Sequence, residues 1–506
     1  MEIFNIHGGA KLDGRKSLTA DLDIITMPIP DILHIPLQQH IGAPAEAIVN
    51  HGDRILKGQL IATSKGLISA PVHSPTSGTV KRIGDFPAPH PSGLPVLTLT
   101  LEPDGLDEWA KLPEPLNIET ATSQEIADRV SQSGIVGMGG ATFPSAVKLN
   151  LGQRYKLEML VINGAECEPY LTCDDRLMQE RTEKTVMGIK VMMKALGVPK
   201  ALVAIESNKP NAFKAMEKEC IHDDNISIVH VPARYPMGSE KHLVQALTGK
   251  ETPAKGMTAD LGVVVHNVAT AFAVYEAVYH GRPLISRIVT VSGQVIKKPG
   301  NYETLIGTPV SSLINMSGGM TDTPKQLLMG GPMMGQPLPN LDVPVIKGSG
   351  GVLALNDTEM KDKNVMPCIG CGSCVMVCPV GLLPLDMASR IEHEDVDGAD
   401  GIGVRDCVSC GSCNYVCPSH IPLVQYFNYA KGRLKEQDID RRNQDRMKML
   451  AQNRALRDEK TQLALERKRA DREAYNAALA KMQTISNTTK ENNNTGHNTT
   501  NEMDIK

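Results

Sequence analysis

CIGCGSCVMVCP at residues 368–379 and CVSCGSCNYVCP at residues 407–418 are two copies of one pattern: four cysteines spaced C-x2-C-x2-C-x3-C, each run closed by proline. Thiolates in this spacing are ligands for cubane [4Fe–4S] clusters, and the fourth cysteine of each run ligates the cluster of the other. One cluster is therefore assigned to Cys368, Cys371, Cys374 and Cys417, and the second to Cys407, Cys410, Cys413 and Cys378. The small residues Gly372, Ser373, Gly411 and Ser412 leave room for backbone N–H groups to turn toward cluster sulfides. Structural zinc also takes four thiolates, but zinc ribbons split their ligands into two C-x2-C pairs. His420 lies beside the second run, yet all eight thiolates are already in place, so it is not needed as a ligand.

Outward from this stretch, the totals bound the class. A chain of 506 residues makes about three globular units at about 150 residues each. A net charge of −4 and an aromatic content of 3 % with one tryptophan argue against nucleic acid as a partner. Eight of the eleven cysteines are in the two runs, which implies a reducing compartment and no disulfide framework. The N-terminal MEIFNIHGGAKLDGRKS lacks a basic region followed by an apolar one, and no apolar run is long enough to span a bilayer. A cytoplasmic location is expected, with any membrane contact made indirectly through partners.

Within an N-terminal region of residues 1–116, the stretch from about 28 to 101 holds short apolar runs broken by turn signals, which predict a small all-β unit. GDRILKGQLIA and APVHSPTSGTVKRIG resemble the two halves of a barrel-sandwich of the biotinyl and lipoyl carrier type. Those carriers present a lysine at a hairpin tip; the stretch Ser74-Pro75-Thr76-Ser77-Gly78 has none, so the module is read as structural. Residues 117–285 alternate strands (LEMLVINGA, ALVAIES, ISIVHVP) with helices (KTVMGIKVMMKALG, PNAFKAMEKEC), the pattern of an α/β domain with a mostly parallel sheet. Ligands of such sheets bind beyond the carboxyl ends of strands. A glycine-rich loop at residues 134–145 leads there into a helix carrying Lys148, a combination suited to phosphate.

This domain resembles the flavin- and nicotinamide-binding subunit of respiratory NADH dehydrogenases. GMGGATFPSAVKL and VINGAECEPYL are similar to that family's GRGGAGFPTGLKW and NADESEP, while YPMGSEKHL and VVHNVATAFAV follow in the order of its Y-x-x-G-E-E and N-N-V-E-T segments. The resemblance implies FMN contacts at Gly137, Gly139, Gly140, Lys148, Asn163, Glu166, Gly238, Glu240, Asn267 and Thr270. It implies a catalytic place near the nicotinamide of NADH for Phe143 and Glu168. Met138, Ala165, Ser239 and Ala269 stand where that family has arginine, aspartate and two glutamates.

Residues 286–359 show β alternation and a short helix that resemble the soluble-ligand-binding β-grasp insert of the same respiratory subunit. Residues 360–432 form the two-cluster, ferredoxin-type α-helical domain. Residues 433–482 read as one charged helix with few apolar positions, either solvated or meeting an anionic surface or partner. Residues 483–506, rich in Asn and Thr, read as disordered.

The order of these modules, a multidomain α/β chain with all-β units, resembles the RnfC/RsxC family of the Rnf/Rsx ion-translocating electron transport complex. That family implies a peripheral subunit on the cytoplasmic side of the bacterial inner membrane, partnered by the other subunits of the complex. It implies an enzyme subunit of the translocase class that passes electrons between NADH and ferredoxin through FMN and two [4Fe–4S] clusters. Two alternatives stay open on the residues alone: a soluble two-cluster subunit of another oxidoreductase without flavin, and a zinc-stabilised scaffold that binds partners.

Overall fold

The computed structural model describes residues 3–66, 68–87, 94–254, 256–360 and 364–494. The chain divides into two units, Met1–Ala430 and Lys431–Lys506.

In the first unit, the N-terminal module pairs a four-stranded antiparallel sheet (Leu33–Pro36, Val96–Pro103, Gly78–Phe86, Arg54–Ile55) with a three-stranded one (Glu46–Ala47, Leu60–Thr63, Val72–His73). Leu33, Ile35, Ile55, Ile61, Val72, Val80, Leu99 and Leu101 fill the space between them. The hairpin tip that a carrier domain would expose is buried here: Thr76 Oγ1 donates to Asp107 (2.8 Å) and Ser77 Oγ to Asp104 (2.6 Å). Both hydroxyls are spent on the chain's own carboxylates, so nothing is presented for modification.

The α/β domain is built on four parallel strands in the order Ile226–Val231, Lys200–Glu206, Met159–Gly164, Val263–Asn267. Side chains alternate across a strand, so Leu160 and Ile162 face one side and Val161 the other. The first side packs on helices Ser123–Gln132, Thr182–Leu196 and Val268–His280, and the second on helix Glu240–Thr248 through Leu243 and Leu247. Thr122 and Glu125 close a capping box at the start of Ser123–Gln132. Gly188 lets helix Thr182–Leu196 cross Val268–His280 closely, because a Cβ there would lie 1.9 Å from the Ala271 carbonyl oxygen.

The β-grasp region forms a six-stranded sheet in the order Ile24–Thr26, Gly300–Leu305, Ser286–Ser292, Gly351–Leu355, Gln326–Met329, Gln336–Pro337. Its edge strand Ile24–Thr26 comes from the far N-terminus and pairs in parallel with Gly300–Leu305, a partnership that local pattern does not announce. Lys347 is fully buried and joins modules, its Nζ donating to the carbonyls of Pro71 (2.8 Å) and Gly134 (2.6 Å).

The cysteine domain follows with helices Ser373–Val377, Pro384–Glu392, Val396–Gly401 and Ser412–Val416. The C-terminal region departs from expectation. The expected short helix after Pro418 and the charged helix at 433–482 are a single helix, Leu423–Asn494, which also takes in residues 483–494 of the stretch expected to be disordered. Once nucleated, a helix extends at little cost per residue, so weakly helical Asn and Thr are carried along. Residues 495–506 lie outside the described residues. Within the second unit the described side chains of the helix are mostly exposed, Leu434 being buried, with ion pairs such as Arg433–Glu436 and Arg454–Asp458. Among the described residues no helix is long and apolar enough to cross a membrane.

Candidate functional site

The two cysteine runs fold alike. Gly370 and Ser409 adopt positive φ at equivalent positions, as do Gly372 and Gly411, and again Gly381 and His420. Each run thus makes the same pair of turns and enters a five-residue helix, Ser373–Val377 or Ser412–Val416, whose end delivers the fourth cysteine. The two helices pack on each other. The sulfur of Cys374 feels those of Cys371 and Cys417, while Cys413 feels Cys407, Cys410 and Cys378. Cys417 of the second run thus lies within electrostatic reach of Cys374 of the first, and Cys378 of the first within reach of Cys413 of the second.

The residues fit iron–sulfur cubanes better than zinc. Zinc–sulfur bonds of about 2.3 Å would draw four sulfurs together around one ion. Among the described residues no three of these sulfurs gather within 4.8 Å, as ligands of a larger cluster would not. Backbone N–H groups of Gly370 and Ser409 donate to Cys368 and Cys407 sulfurs at 3.4 Å, and Leu382 N–H donates to Cys378 at the same distance. Ser373 and Ser412 hydroxyls stand 3.4 Å from Cys371 and Cys410. Donors of this kind stabilise thiolate charge and tune cluster potentials.

The two sets differ in burial. Cys368 and Cys371 are exposed, with Cys374 and Cys417 half-buried; Cys378, Cys410 and Cys413 are buried, with Cys407 half-buried. The buried set is the one held by the α/β domain. Tyr235 Oη donates to the Cys410 carbonyl (2.7 Å) and the His242 ring nitrogen Nε2 meets the Pro379 carbonyl (3.0 Å); from the N-terminal segment, Gly9 N–H donates to the Val377 carbonyl (2.8 Å).

The second constellation lies at the carboxyl end of the parallel sheet. The glycine loop folds back on itself, Gly137 N–H donating to Phe143 O (2.8 Å), with Val136 bridged to Pro144. Met138 N–H donates to Thr270 Oγ1 (3.1 Å). Asn163 Nδ2 donates to Gly238 O (2.8 Å), and Asn267 Nδ2 to Asp174 Oδ2 (2.6 Å). Lys148 Nζ pairs with Glu240 (2.7 Å) and donates to Val265 O (3.1 Å). Asn163, Gly238 and Asn267 share hydrogen bonds, and Lys148 and Glu240 form a separate pair. Gly139 packs on Asn267 and Gly140 faces open space.

Glu166 is buried and accepts from Asp174 N–H (2.9 Å) through Oε1, while Oε2 has no hydrogen-bond partner among the described residues. Burial pushes its carboxyl above the ordinary range, against the pull of Lys16. The Ser145 hydroxyl, at the start of the helix after the loop, is also buried and unpartnered among the described residues. An open glycine, Gly140, an unpartnered buried hydroxyl and a lysine beside the loop fit a bound flavin mononucleotide, while Glu166 Oε2 has Lys16 Nζ at 4.0 Å. Glu168 is placed differently: both its oxygens accept N–H groups, from Met333 (3.1 Å) and Met334 (2.9 Å), and burial lifts it to about 7.

Three cations here were not legible in the sequence. Lys209 is buried, pairs with Glu206 (2.7 Å) and donates to Glu166 O (3.2 Å). Lys16 reaches from the N-terminal segment to the carbonyls of Glu168 (3.0 Å) and Leu171 (2.6 Å). Arg287 is buried with Nη1 2.8 Å from Met138 Sδ, so a guanidinium from strand Ser286–Ser292 stands beside the residue that replaces the family's arginine.

A parallel sheet with a glycine loop at its carboxyl end, joined to a twice-repeated cysteine cradle, defines a modular electron-transfer protein. Family profiles agree: an RnfC barrel sandwich hybrid domain at residues 4–106, a Nuo51 FMN-binding domain at 130–276, an SLBB domain at 288–337 and a 4Fe-4S dicluster domain at 367–421. The C subunit of the ion-translocating oxidoreductase complex of Rhodobacter capsulatus is 56 % identical over 437 residues, 86 % of this chain and 84 % of that one. The C subunit of the proton-translocating ferredoxin:NAD(+) oxidoreductase complex of Clostridium ljungdahlii is 44 % identical over 84 % of this chain and 93 % of its own length. The crystal structure of an NAD+-reducing [NiFe]-hydrogenase in the H2-reduced state aligns with a TM-score of 0.44 and 18 % identity, covering 61 % of this chain and 65 % of that one. The chain belongs to the RnfC family, the C subunits of ion-translocating oxidoreductase complexes. It is an electron-transfer subunit with FMN and [4Fe–4S] clusters as cofactors, and its partners are the other subunits of the complex.

Proposed function

We propose that this subunit takes electrons from NADH at the glycine loop and delivers them through the buried cysteine set to the exposed one. In this reading Gly137, Gly139, Gly140, Lys148, Asn163, Glu166, Gly238, Glu240, Asn267 and Thr270 hold FMN. Phe143 and Glu168 place the nicotinamide. Cys378, Cys407, Cys410 and Cys413 hold the first cluster, and Cys368, Cys371, Cys374 and Cys417 the second. A bound flavin accepts a hydride as two electrons and releases them singly, which a chain of one-electron clusters requires.

The chain's own residues serve this in distinct ways. Lys148 sets a positive charge at the loop, held in place by Glu240. The glycines permit close backbone approach to a phosphate. Glu166 Oε2 accepts no hydrogen bond among the described residues and is ion-paired with Lys16 at 4.0 Å. Tyr235 spans from the α/β domain to the buried cysteine loop, and that single contact supports the order of transfer most strongly. The subunit is read as sitting on the cytoplasmic side of the inner membrane, held through its partners.

Cofactor content tests the reading. Full-length protein purified without oxygen should contain one flavin and about eight irons per chain, the sum of two cubanes, and NADH should bleach both chromophores. Protein that holds full iron but no flavin, and is not reduced by NADH, would remove the flavin half of the proposal.

A further inference from the structure

We infer that the cavity between the β-grasp sheet, the α/β domain and the N-terminal module is a second ligand site, which takes a small organic anion with an apolar body against Arg287 and Thr304. The cavity has a volume of about 550 Å³, within the usual range for small-molecule sites. It is separate from the flavin reading, since none of the ten residues assigned to FMN borders it. Glu240, the partner of Lys148, opens the helix on one side of the parallel sheet. Leu177 and Phe272 of the cavity wall pack with the helices on the other side.

Two buried polar groups on one wall point to an anion. Arg287 and Thr304 stand opposite each other in the antiparallel pairing of Ser286–Ser292 with Gly300–Leu305, so their side chains share a face of the sheet. Arg287 is 5 % exposed, and its hydrogen bonds go to the Ser349 carbonyl (3.2 Å) and the Met138 sulfur (2.8 Å), neither of which carries charge. Thr304 is 2 % exposed, and its hydroxyl has no hydrogen-bond partner among the described residues. A buried guanidinium without an ion-pair partner is costly, and its planar fork suits a carboxylate or a phosphate.

The acids on the wall do not answer this charge. Asp174 lies within electrostatic reach of Arg287, but its Oδ2 accepts from Asn267 (2.6 Å) and burial pushes its carboxyl above the ordinary range. Glu276 pairs with Arg282 (3.0 Å) and Lys184 (3.6 Å), Glu303 with Arg181 (3.8 Å) and Glu180 with Arg176 (2.8 Å). Glu183 is exposed. The buried charge left unpaired is therefore positive. Met138 and Ala269, which stand where the resembled flavin subunits have an arginine and a glutamate, also border the cavity and bring no charge to it. Phe272 and Ile288 supply apolar surface for the body of the ligand.

The test uses the full-length protein with its cofactors. Trp109, the one tryptophan of the chain, borders the cavity and reports on its occupancy. Phenyl phosphate and benzoate are titrated by calorimetry and by Trp109 fluorescence, with phenol and inorganic phosphate as probes that each lack one half of the ligand. At least one of the two aryl anions should bind saturably, and about tenfold or more tightly than phenol or inorganic phosphate. Arg287→Met should weaken that binding by about tenfold or more, and Thr304→Val, which keeps the shape and removes the hydroxyl, by about threefold. Lys148→Met should bind the probe as wild type does, and added FMN should not displace it. Where Arg287→Met loses iron or melts early, Thr304→Val decides alone. No saturable binding of either aryl anion, wild-type affinity in the deciding variant, or displacement by FMN overturns the second site. Failure of the flavin reading shows instead as missing flavin in the untreated protein, with the aryl anion still bound.

Discussion

The phenol of Tyr235 donates a 2.7 Å hydrogen bond to the backbone carbonyl of Cys410, so a side chain of the α/β domain ends on the ligand loop of the buried cysteine set. Tyr235 is itself buried. Tyr235→Phe leaves that buried carbonyl without its donor, a change worth about 1–3 kcal/mol. Flavin content should be unchanged, while the spectrum of the buried cluster shifts and its reduction by NADH slows. An identical cluster spectrum and reduction rate would show that the contact is incidental.

Gly8 adopts φ +61 and lies so close to the cysteine domain that a Cβ there would sit 2.5 Å from the Cys378 carbonyl oxygen. Gly8→Ala forces this N-terminal strap away, at about 1–3 kcal/mol for overpacking. The melting temperature should fall, and the buried cluster should bleach faster in air than in wild type. Equal air stability would mean the strap contributes nothing to the cluster's protection.

Crossed ligation predicts an asymmetric result for Cys378→Ser. Although Cys378 belongs to the first run, the cluster of Cys407, Cys410 and Cys413 should be lost or altered, and that of Cys368, Cys371 and Cys374 retained. Paramagnetic resonance of the reduced variant distinguishes the two.

Glu168 gives the chain a pH signature. Burial, the largest influence, lifts its carboxyl from 4.5 to about 7 against the two N–H donors of Met333 and Met334. A folded value above the unfolded one means that the folded chain binds the extra proton in this window. The stabilisation is complete below pH 4.5 and is lost as pH rises through 7. The melting temperature of wild type, relative to Glu168→Gln, should therefore decline between about pH 5 and pH 8. Parallel curves would contradict the shift.

Lys148→Met removes the cation that pairs with Glu240 beside the glycine loop. Flavin retained per chain, read by fluorescence after denaturation, should fall by about tenfold, equivalent to about 1.4 kcal/mol. Iron content should stay constant.

Much of this architecture was legible in the residues, and the reason differs by module. Eight cysteines at fixed spacing carry their own chemistry, so the two-cluster, ferredoxin-type domain needed no tertiary knowledge. Strands such as Met159–Gly164 and Lys200–Glu206 announced themselves by apolar runs flanked by turns. Hidden features were those made by contacts distant in sequence. Lys16 and Lys209 look like surface lysines until the fold buries them against Glu166 and Glu168. Arg287 stands beside Met138 only because strand Ser286–Ser292 passes the glycine loop. Gly8 had no visible purpose before Cys378 was placed against it. The C-terminal helix outran its expected end because composition reports propensity and not where a nucleated helix stops.

The order of electron transfer is tested most directly by rapid-freeze paramagnetic resonance of full-length Cys371→Ser and Cys410→Ser proteins mixed with NADH. Loss of the exposed cluster in Cys371→Ser should leave the buried cluster reduced as fast as in wild type. Disruption of the buried cluster in Cys410→Ser should leave the exposed cluster oxidised over the same interval. An exposed cluster that is reduced at the wild-type rate in Cys410→Ser would contradict the account.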